Sequence, residues 1–255
     1  MDKPLHEYRE SFRVRAVEAG MNNRLTVAAF CDYLQEAAGN HARELGLGIQ
    51  SLRAEGLTWM LARLQIAFFH PVGWRDTVVI RTWPSGTRGR LTAIREFDAT
   101  DCDGTAVAHA VSEWLYVDAV AGKIVRLPPS FAALAPEGTP HVAMPPMPTE
   151  FEAWTESAWS AEIAVRAADE DLNRHVNNAH YTEWVFEPLP DSWSGERCLT
   201  TFDIQFRQAA HRGDHLVCEV ARLDEQTLLH RITRVSDGTL LVRARTSWKP
   251  LENEE

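Results

Sequence analysis

"IAVRAADEDLNRHVNNAHYTEWVFE", Ile163 to Glu187, is the second appearance of a pattern already present as "FRVRAVEAGMNNRLTVAAFCDYLQE", Phe12 to Glu36. The two stretches align without a gap. Val14-Arg15-Ala16 falls on Val165-Arg166-Ala167, Asn22 on Asn173, Phe30 on Tyr181, Tyr33 on Trp184 and Glu36 on Glu187. The match resumes downstream. "LQIAFFHPVGWRDTVVI" (Leu64 to Ile80) parallels "FDIQFRQAAHRGDHLVC" (Phe202 to Cys218), and "DGTAVAHAVSEW" (Asp103 to Trp114) parallels "DGTLLVRARTSW" (Asp237 to Trp248). Three pairings in the same order argue for a duplicated unit, and self-similarity of this kind governs every later assignment.

Between the copies, Arg126 to Ser157 holds seven of the thirteen prolines. Proline fixes φ and removes an amide donor, so this stretch reads as an extended linker, not sheet interior. The expected organisation is an N-terminal unit over 1–127, a linker over 128–157 and a C-terminal unit over 158–255. Each unit opens with a short strand, then a loop and a helix. The first helix begins near Thr26 and stops at Gly46; Pro188 shortens the second. Runs rich in Val, Ile, Thr and aromatics follow and read as strands, with "DCDG" and "SDG" as hairpin turns. A meander with one helix must cover its apolar face. Wrapping the sheet round the helix does so, and two copies side by side make one continuous sheet. The fold class is α+β.

With 255 residues and 45% hydrophobic content, the chain can bury a sizeable core. A net charge of −10 and a pI of about 5.5 argue against a chain-wide nucleic-acid or anionic-membrane surface. The charged N-terminus lacks an apolar signal core, and no run approaches the ~18 apolar residues of a spanning helix, so a cytoplasmic protein without a membrane span is expected. The four cysteines lack CxxC spacing and read as reduced thiols. His211 and His215 are four apart in a strand-like context, which does not suit a metal site. No GxGxxG or Walker loop suggests a nucleotide.

The chemistry concentrates in the second copy, where Asp171, Asn173 and His175 alternate ahead of the helix. In an irregular loop such side chains can converge. A carboxylate serves as base or nucleophile, an imidazole orients it or shares its proton, and an amide fixes geometry. The helix start around Asn177, Asn178 and Ala179 offers backbone amides to a developing acyl oxyanion. Caps and turn residues are the plainer explanation of Asp and Asn before a helix. Copy one speaks against it, because Gly20 stands opposite Asp171 and Arg24 opposite His175.

"DLNRHVNNAHYTEW" resembles the signature of the acyl-ACP thioesterases, the fatty-acid-releasing enzymes of plant plastids and bacteria. "DYLQEAAGNHARELGLG", "LTWMLARLQIAF" and "WRDTVVIRTWPSG" resemble that family's N-terminal segments in order. The resemblance covers most of the chain. It implies a tandem hotdog fold and hydrolysis of fatty acyl-ACP to free fatty acid and holo-ACP. Asp171, Asn173 and His175 carry the catalytic roles that it implies. The chain departs from the family where a Glu, followed in plants by Cys, is usual on the next strand: Ala209 and Ala210 stand there. A cysteine nucleophile at that place is excluded, and Gln208, His211 and Glu183 are the candidates to compensate for the missing Glu.

For the acyl chain the resemblance points to the first repeat, with Trp59, Met60, Leu61 and Leu64 as candidate lining; ordinary core is the alternative for each. For an acidic carrier, Arg81, Arg88, Arg90, Arg207 and Arg212 are candidate contacts. Water is the second substrate, and neither metal nor redox cofactor is expected. Acyl-CoA hydrolysis and a catalytically weak acyl-thioester binding module are the alternative functions. Hotdog hydratases fit less well, because their Asp-x-Asn-Pro-x-His spacing is absent. Two fused repeats leave monomer and homodimer both open.

Overall fold

The computed structural model describes residues 6–135, 137–171 and 175–251. The chain divides into two compact units at Pro145/Pro146, inside the proline-rich stretch. The N-terminal unit contains β1 (Tyr8–Arg13), helix α1 (Val27–Glu44), a short α2 (Ile49–Ala54), β2 (Leu57–Phe68), β3 (Thr77–Arg88), β4 (Thr92–Thr100), β5 (Ala106–Asp118) and β6 (Lys123–Val125). Its strands are antiparallel in the order β1-β3-β4-β5-β2, with β6 on β5. The C-terminal unit contains β7 (Ser157–Ala164), α3 (Asn178–Trp184), α4 (Asp191–Gly195), β8 (Arg197–Phe206), β9 (His215–Arg222), β10 (Thr227–Arg234) and β11 (Leu240–Pro250). Its order is β7-β9-β10-β11-β8. Counted within each unit, both orders are first-third-fourth-fifth-second, the same topology twice.

α1 forms where the periodicity places it. Thr26 accepts the Ala29 amide as N-cap, and Gly46, at φ 75°, takes the left-handed conformation past the helix end. Its buried face carries Phe30, Tyr33, Leu34, Ala37, Ala38 and His41. α3 is capped in the same way by Asn177, which accepts the Ala179 amide, and ends at Trp184, ahead of Pro188. Removing the apolar faces of these helices and sheets from water is the main stabilising term, about 25 cal/mol per Å² of apolar surface. The largest fully buried side chains include Phe30, Phe97, Ile66 and Ile80 in one unit and Tyr181, Phe202, Ile204 and Ile232 in the other.

The linker is not structureless. Residues 129–134 form a 3-10 helix. Beyond it the chain is tied to the N-terminal sheet: Trp83 Nε1 donates to the Pro140 carbonyl (2.9 Å), and the buried Glu96 carboxylate takes the Val142 amide (2.6 Å) and meets His141 Nδ1 (2.6 Å). Glu152 in turn pairs with Arg245 of β11 (3.1 Å).

The loop before α1 packs directly on Gly73. A Cβ at residue 73 would lie 2.2 Å from the Asn23 carbonyl oxygen, which is backbone and cannot swing aside. Gly73→Ala is therefore expected to destabilise the protein by about 2 kcal/mol through overpacking. Urea denaturation measures it, and a midpoint unchanged from wild type would show that the loop yields freely.

Candidate active site

The segment that precedes each helix is built on one frame, used twice with a spacing of 151 residues. In the C-terminal unit the buried Asp169 carboxylate accepts the Arg166 amide (2.7 Å) and Arg166 Nη2 (2.7 Å). In the N-terminal unit Glu18 accepts the Arg15 amide (2.7 Å) and guanidinium in the same way. Burial works to raise both carboxyls, but the arginine hydrogen bonds outweigh it, aided at Glu18 by one from Tyr33, and hold both below the ordinary range. The backbone repeats as well. Asn177 N donates to Asp169 O (2.9 Å) as Thr26 N donates to Glu18 O (2.9 Å), and the bridge Glu170–Val176 repeats Ala19–Leu25.

Within this frame the Asp171 amide donates to the His175 carbonyl at 2.9 Å, exactly where Gly20 donates to Arg24 at 2.8 Å. Asp171 and His175 are thus opposed at the base of one loop, and both are exposed. Asn173 lies outside the described residues. Of the three residues expected at the helix start, Asn177 is the cap, Asn178 the first helical residue, and Ala179 has its amide committed to Asn177 Oδ1 (3.1 Å). That amide reaches an acyl oxygen only if the cap lets go.

The next wall of the site is the segment after β8. Tyr181 of α3 accepts the Ala210 amide on its hydroxyl (2.7 Å), and burial pushes that hydroxyl up to about 12, so it stays neutral. Arg234 holds the other side, donating to the Ala209 carbonyl (2.7 Å) and to Asp214 (3.0 Å). Ala210 is fully buried. His211 follows it, with its ring centroid 5.1 Å from that of His175. Sequence spacing does not reveal this pairing, although the alignment of Leu64–Ile80 with Phe202–Cys218 already sets His211 on Gly73.

The other candidates divide. Leu61 and Leu64 are buried in β2; Trp59 packs on Tyr116 and Phe131 and donates to the Leu47 carbonyl (3.1 Å). Met60 is 38% exposed, and strand alternation turns it away from Trp59 and Leu61. Arg81 pairs with Asp98 (3.0 Å) and Arg88 with Glu113 (2.8 Å); Arg90, Arg207 and Arg212 are exposed. A 370 Å³ cavity in the C-terminal unit is lined by Phe151, Trp154, Arg231 and Arg243, away from Asp171, His175 and His211. Among the described residues no cluster of three or more His, Cys, Asp or Glu is placed to hold a metal, and no helix is long and apolar enough to cross a membrane.

Both halves match one family. The family model for the acyl-ACP thioesterase N-terminal domain matches residues 6–135, and that for the C-terminal domain matches residues 152–250. The chain belongs to the acyl-ACP thioesterase family. Similar acyl-ACP thioesterases include a chloroplastic acyl-[acyl-carrier-protein] hydrolase of Cuphea viscosissima, 28% identical over 95% of this chain and 61% of its own length. An oleoyl-acyl carrier protein thioesterase of Coriandrum sativum is 26% identical over 88% of this chain and 65% of its own length. The chain thus spans somewhat under two thirds of these curated relatives. Among solved structures, an acyl-ACP thioesterase from Bacteroides thetaiotaomicron matches with a TM-score of 0.85 at 22% identity, covering 98% of this chain and 100% of that one. The 12:0-ACP thioesterase from Umbellularia californica matches with a TM-score of 0.79 at 23% identity, covering 96% and 94%. Each acyl-ACP thioesterase unit here is a hotdog, an antiparallel sheet with five strands in the order first-third-fourth-fifth-second around a helix, and the tandem arrangement expected from the repeat is the family's fold.

Proposed function

We propose that this chain hydrolyses the thioester between a fatty acyl group and the phosphopantetheine arm of acyl carrier protein, releasing free fatty acid and holo-carrier. The observation that carries this reading is the asymmetry of a duplicated frame. The N-terminal unit folds the same hydrogen-bonded loop with Gly20 and Arg24, so neither an acid nor an imidazole is needed for the fold. The C-terminal unit adds Asp171 and His175 at those two places. In this reading Asp171 is the essential carboxylate, His175 orients it or shares its proton, and Asn173 fixes geometry by its amide. Water completes the reaction without metal or cofactor. Trp59, Leu61 and Leu64 are the acyl-lining candidates that share a side of β2. Arg90, Arg207 and Arg212 suit an acidic carrier better than Arg81 and Arg88, whose charges are already answered by carboxylates.

The test is thiol release from matched acyl-ACP and acyl-CoA substrates over a range of chain lengths. Acyl-ACP is expected to be preferred by about tenfold or more in kcat/KM. A preference for CoA would make the chain an acyl-CoA thioesterase. Tight acyl-ACP binding without thiol release would make it a binding module and end the hydrolase reading.

A further inference from the structure

The two units differ at a third place bordering the same loop. Gly73 and His211 hold equivalent positions in equivalent turns. Each amide donates to the aspartate three residues on, Gly73 to Asp76 Oδ2 (2.7 Å) and His211 to Asp214 Oδ2 (3.0 Å). Each aspartate amide returns to the carbonyl of Gly73 or His211, at 3.1 and 3.0 Å. The preceding carbonyl accepts from the residue before the helix cap in both units: Leu25 N to Val72 O (2.8 Å) and Val176 N to Ala210 O (3.1 Å). The N-terminal unit has no room for a side chain here, because the Asn23 carbonyl occupies the space of a Cβ. The C-terminal unit places an imidazole here, its ring inclined 58° to that of His175 and 5.1 Å away.

We propose that His211 is a further catalytic residue of this site, the base that takes the proton of the attacking water beside His175. The inference rests on the hydrolase reading above. Imidazole is the side chain whose ordinary titration lies nearest neutrality, which suits proton transfer at physiological pH. The backbone of His211 is fixed from several sides: Ala210 N on Tyr181 Oη, Arg234 on the Ala209 carbonyl, and Arg212 N on Glu170 Oε1 (3.0 Å). A base held this way needs little reorganisation when the substrate arrives. The water oxygen bonds to the thioester carbonyl carbon as its proton passes to an imidazole nitrogen of His211, and the carbonyl π pair moves onto oxygen. Collapse of the tetrahedral adduct re-forms C=O and breaks the C–S bond. The imidazolium returns its proton to the departing sulfur, giving carboxylic acid, thiol and the starting imidazole. Asp171 then has the work of orienting the water and balancing the imidazolium charge. His211 supplies a proton acceptor directly after Ala209 and Ala210, whose side chains carry none.

His211→Gly is the informative variant, because glycine is what the equivalent turn of the N-terminal unit already uses. The full-length variant is expected to lose about 100-fold or more in kcat/KM on acyl-ACP. Its affinity for a non-hydrolysable acyl-ACP thioether should stay within about threefold of wild type. Added imidazole should restore a large part of the lost turnover, which a purely structural role would not allow. His211→Gln, which keeps a polar side chain but no base, should be as slow as His211→Gly. Turnover within about threefold of wild type in either variant overturns the proposal, as does a loss that imidazole does not rescue. A wild type that hydrolyses no acyl thioester at all removes the hydrolase reading itself, and the role of His211 with it.

Discussion

Asp171→Ala is expected to lower acyl-ACP hydrolysis on the order of 1000-fold while leaving thermal stability almost unchanged, the range typical for removing a positioned acid or base. The second half of that expectation follows from the duplicated frame. The elements that hold this loop are the Arg166–Asp169 pair, the Glu170–Val176 bridge, the Asn177 cap and the Asp171 N to His175 O bond. The last of these uses the backbone of Asp171, as the equivalent bond uses the backbone of Gly20 in the N-terminal unit. Asp171 is also exposed, so truncation leaves no cavity. A structural carboxylate would give the opposite pattern, as its counterpart Asp169 should: buried and fully hydrogen-bonded, its loss strips donors from a closed site. Rates and melting curves on the same preparations separate the cases. An Asp171→Ala protein that turns over like wild type removes Asp171 from the mechanism. One that loses activity only because its melting temperature collapses makes it a fold residue.

The repeat made most of this legible from sequence. A gap-free spacing of 151 residues carries Arg15 onto Arg166, Glu18 onto Asp169, and Thr26 onto Asn177, and the structure uses each pair for the same bond. Two helices with caps at fixed offsets, followed by alternating β-branched runs, leave few ways to close a sheet. What spacing does not carry is which residues meet across chain separation. His211 stands thirty-six positions beyond His175, and the two imidazoles meet through bonds that spacing does not show, among them Val176 N to Ala210 O and Arg212 N to Glu170 Oε1. Strand phase is likewise hidden at bulges: a register shift between Leu61 and Arg63 brings Leu64, instead of Arg63, onto the side of Trp59 and Leu61, which a simple alternation does not foresee. The linker gives no periodic signal at all. Its contacts with Trp83, Glu96 and Arg245 depend on single polar groups reaching sheet residues dozens of positions away.

The C-terminal unit should lose stability in acid through His230, by about 3 kcal/mol between roughly pH 6.5 and pH 4. His230 is 2% exposed on β10, and each of its nitrogens has one partner. Val185 O, 2.8 Å from Nδ1, can only accept, so Nδ1 carries the proton. Nε2, 2.8 Å from Thr246 Oγ1, then accepts the threonine proton, and Trp248 Nε1 donates into the same hydroxyl (2.8 Å). In this arrangement Nε2 is the acceptor of the Thr246 hydroxyl proton, and a second proton on Nε2 would force that hydroxyl to turn away and give up its acceptor. Burial accordingly pushes the imidazole down to about 4, against 6.5 unfolded. Between those values the unfolded chain binds the proton and the folded chain does not. The stabilisation is therefore complete above about pH 6.5, falls as the pH drops, and is gone near pH 4. Val185 is the C-cap of α3, so this chain of bonds anchors the far end of the helix that carries the candidate site. Carboxylates held below their ordinary range, such as Asp169 and Glu219, also lose stability in acid, which makes a single acid titration ambiguous. His230→Gln resolves it: the amide keeps a donor and an acceptor but does not titrate. Urea denaturation of both proteins at pH 7.5 and 4.5 should show wild type losing about 2 to 3 kcal/mol more than the variant. Parallel losses in the two proteins would mean that the buried imidazole takes up its proton without cost to the fold.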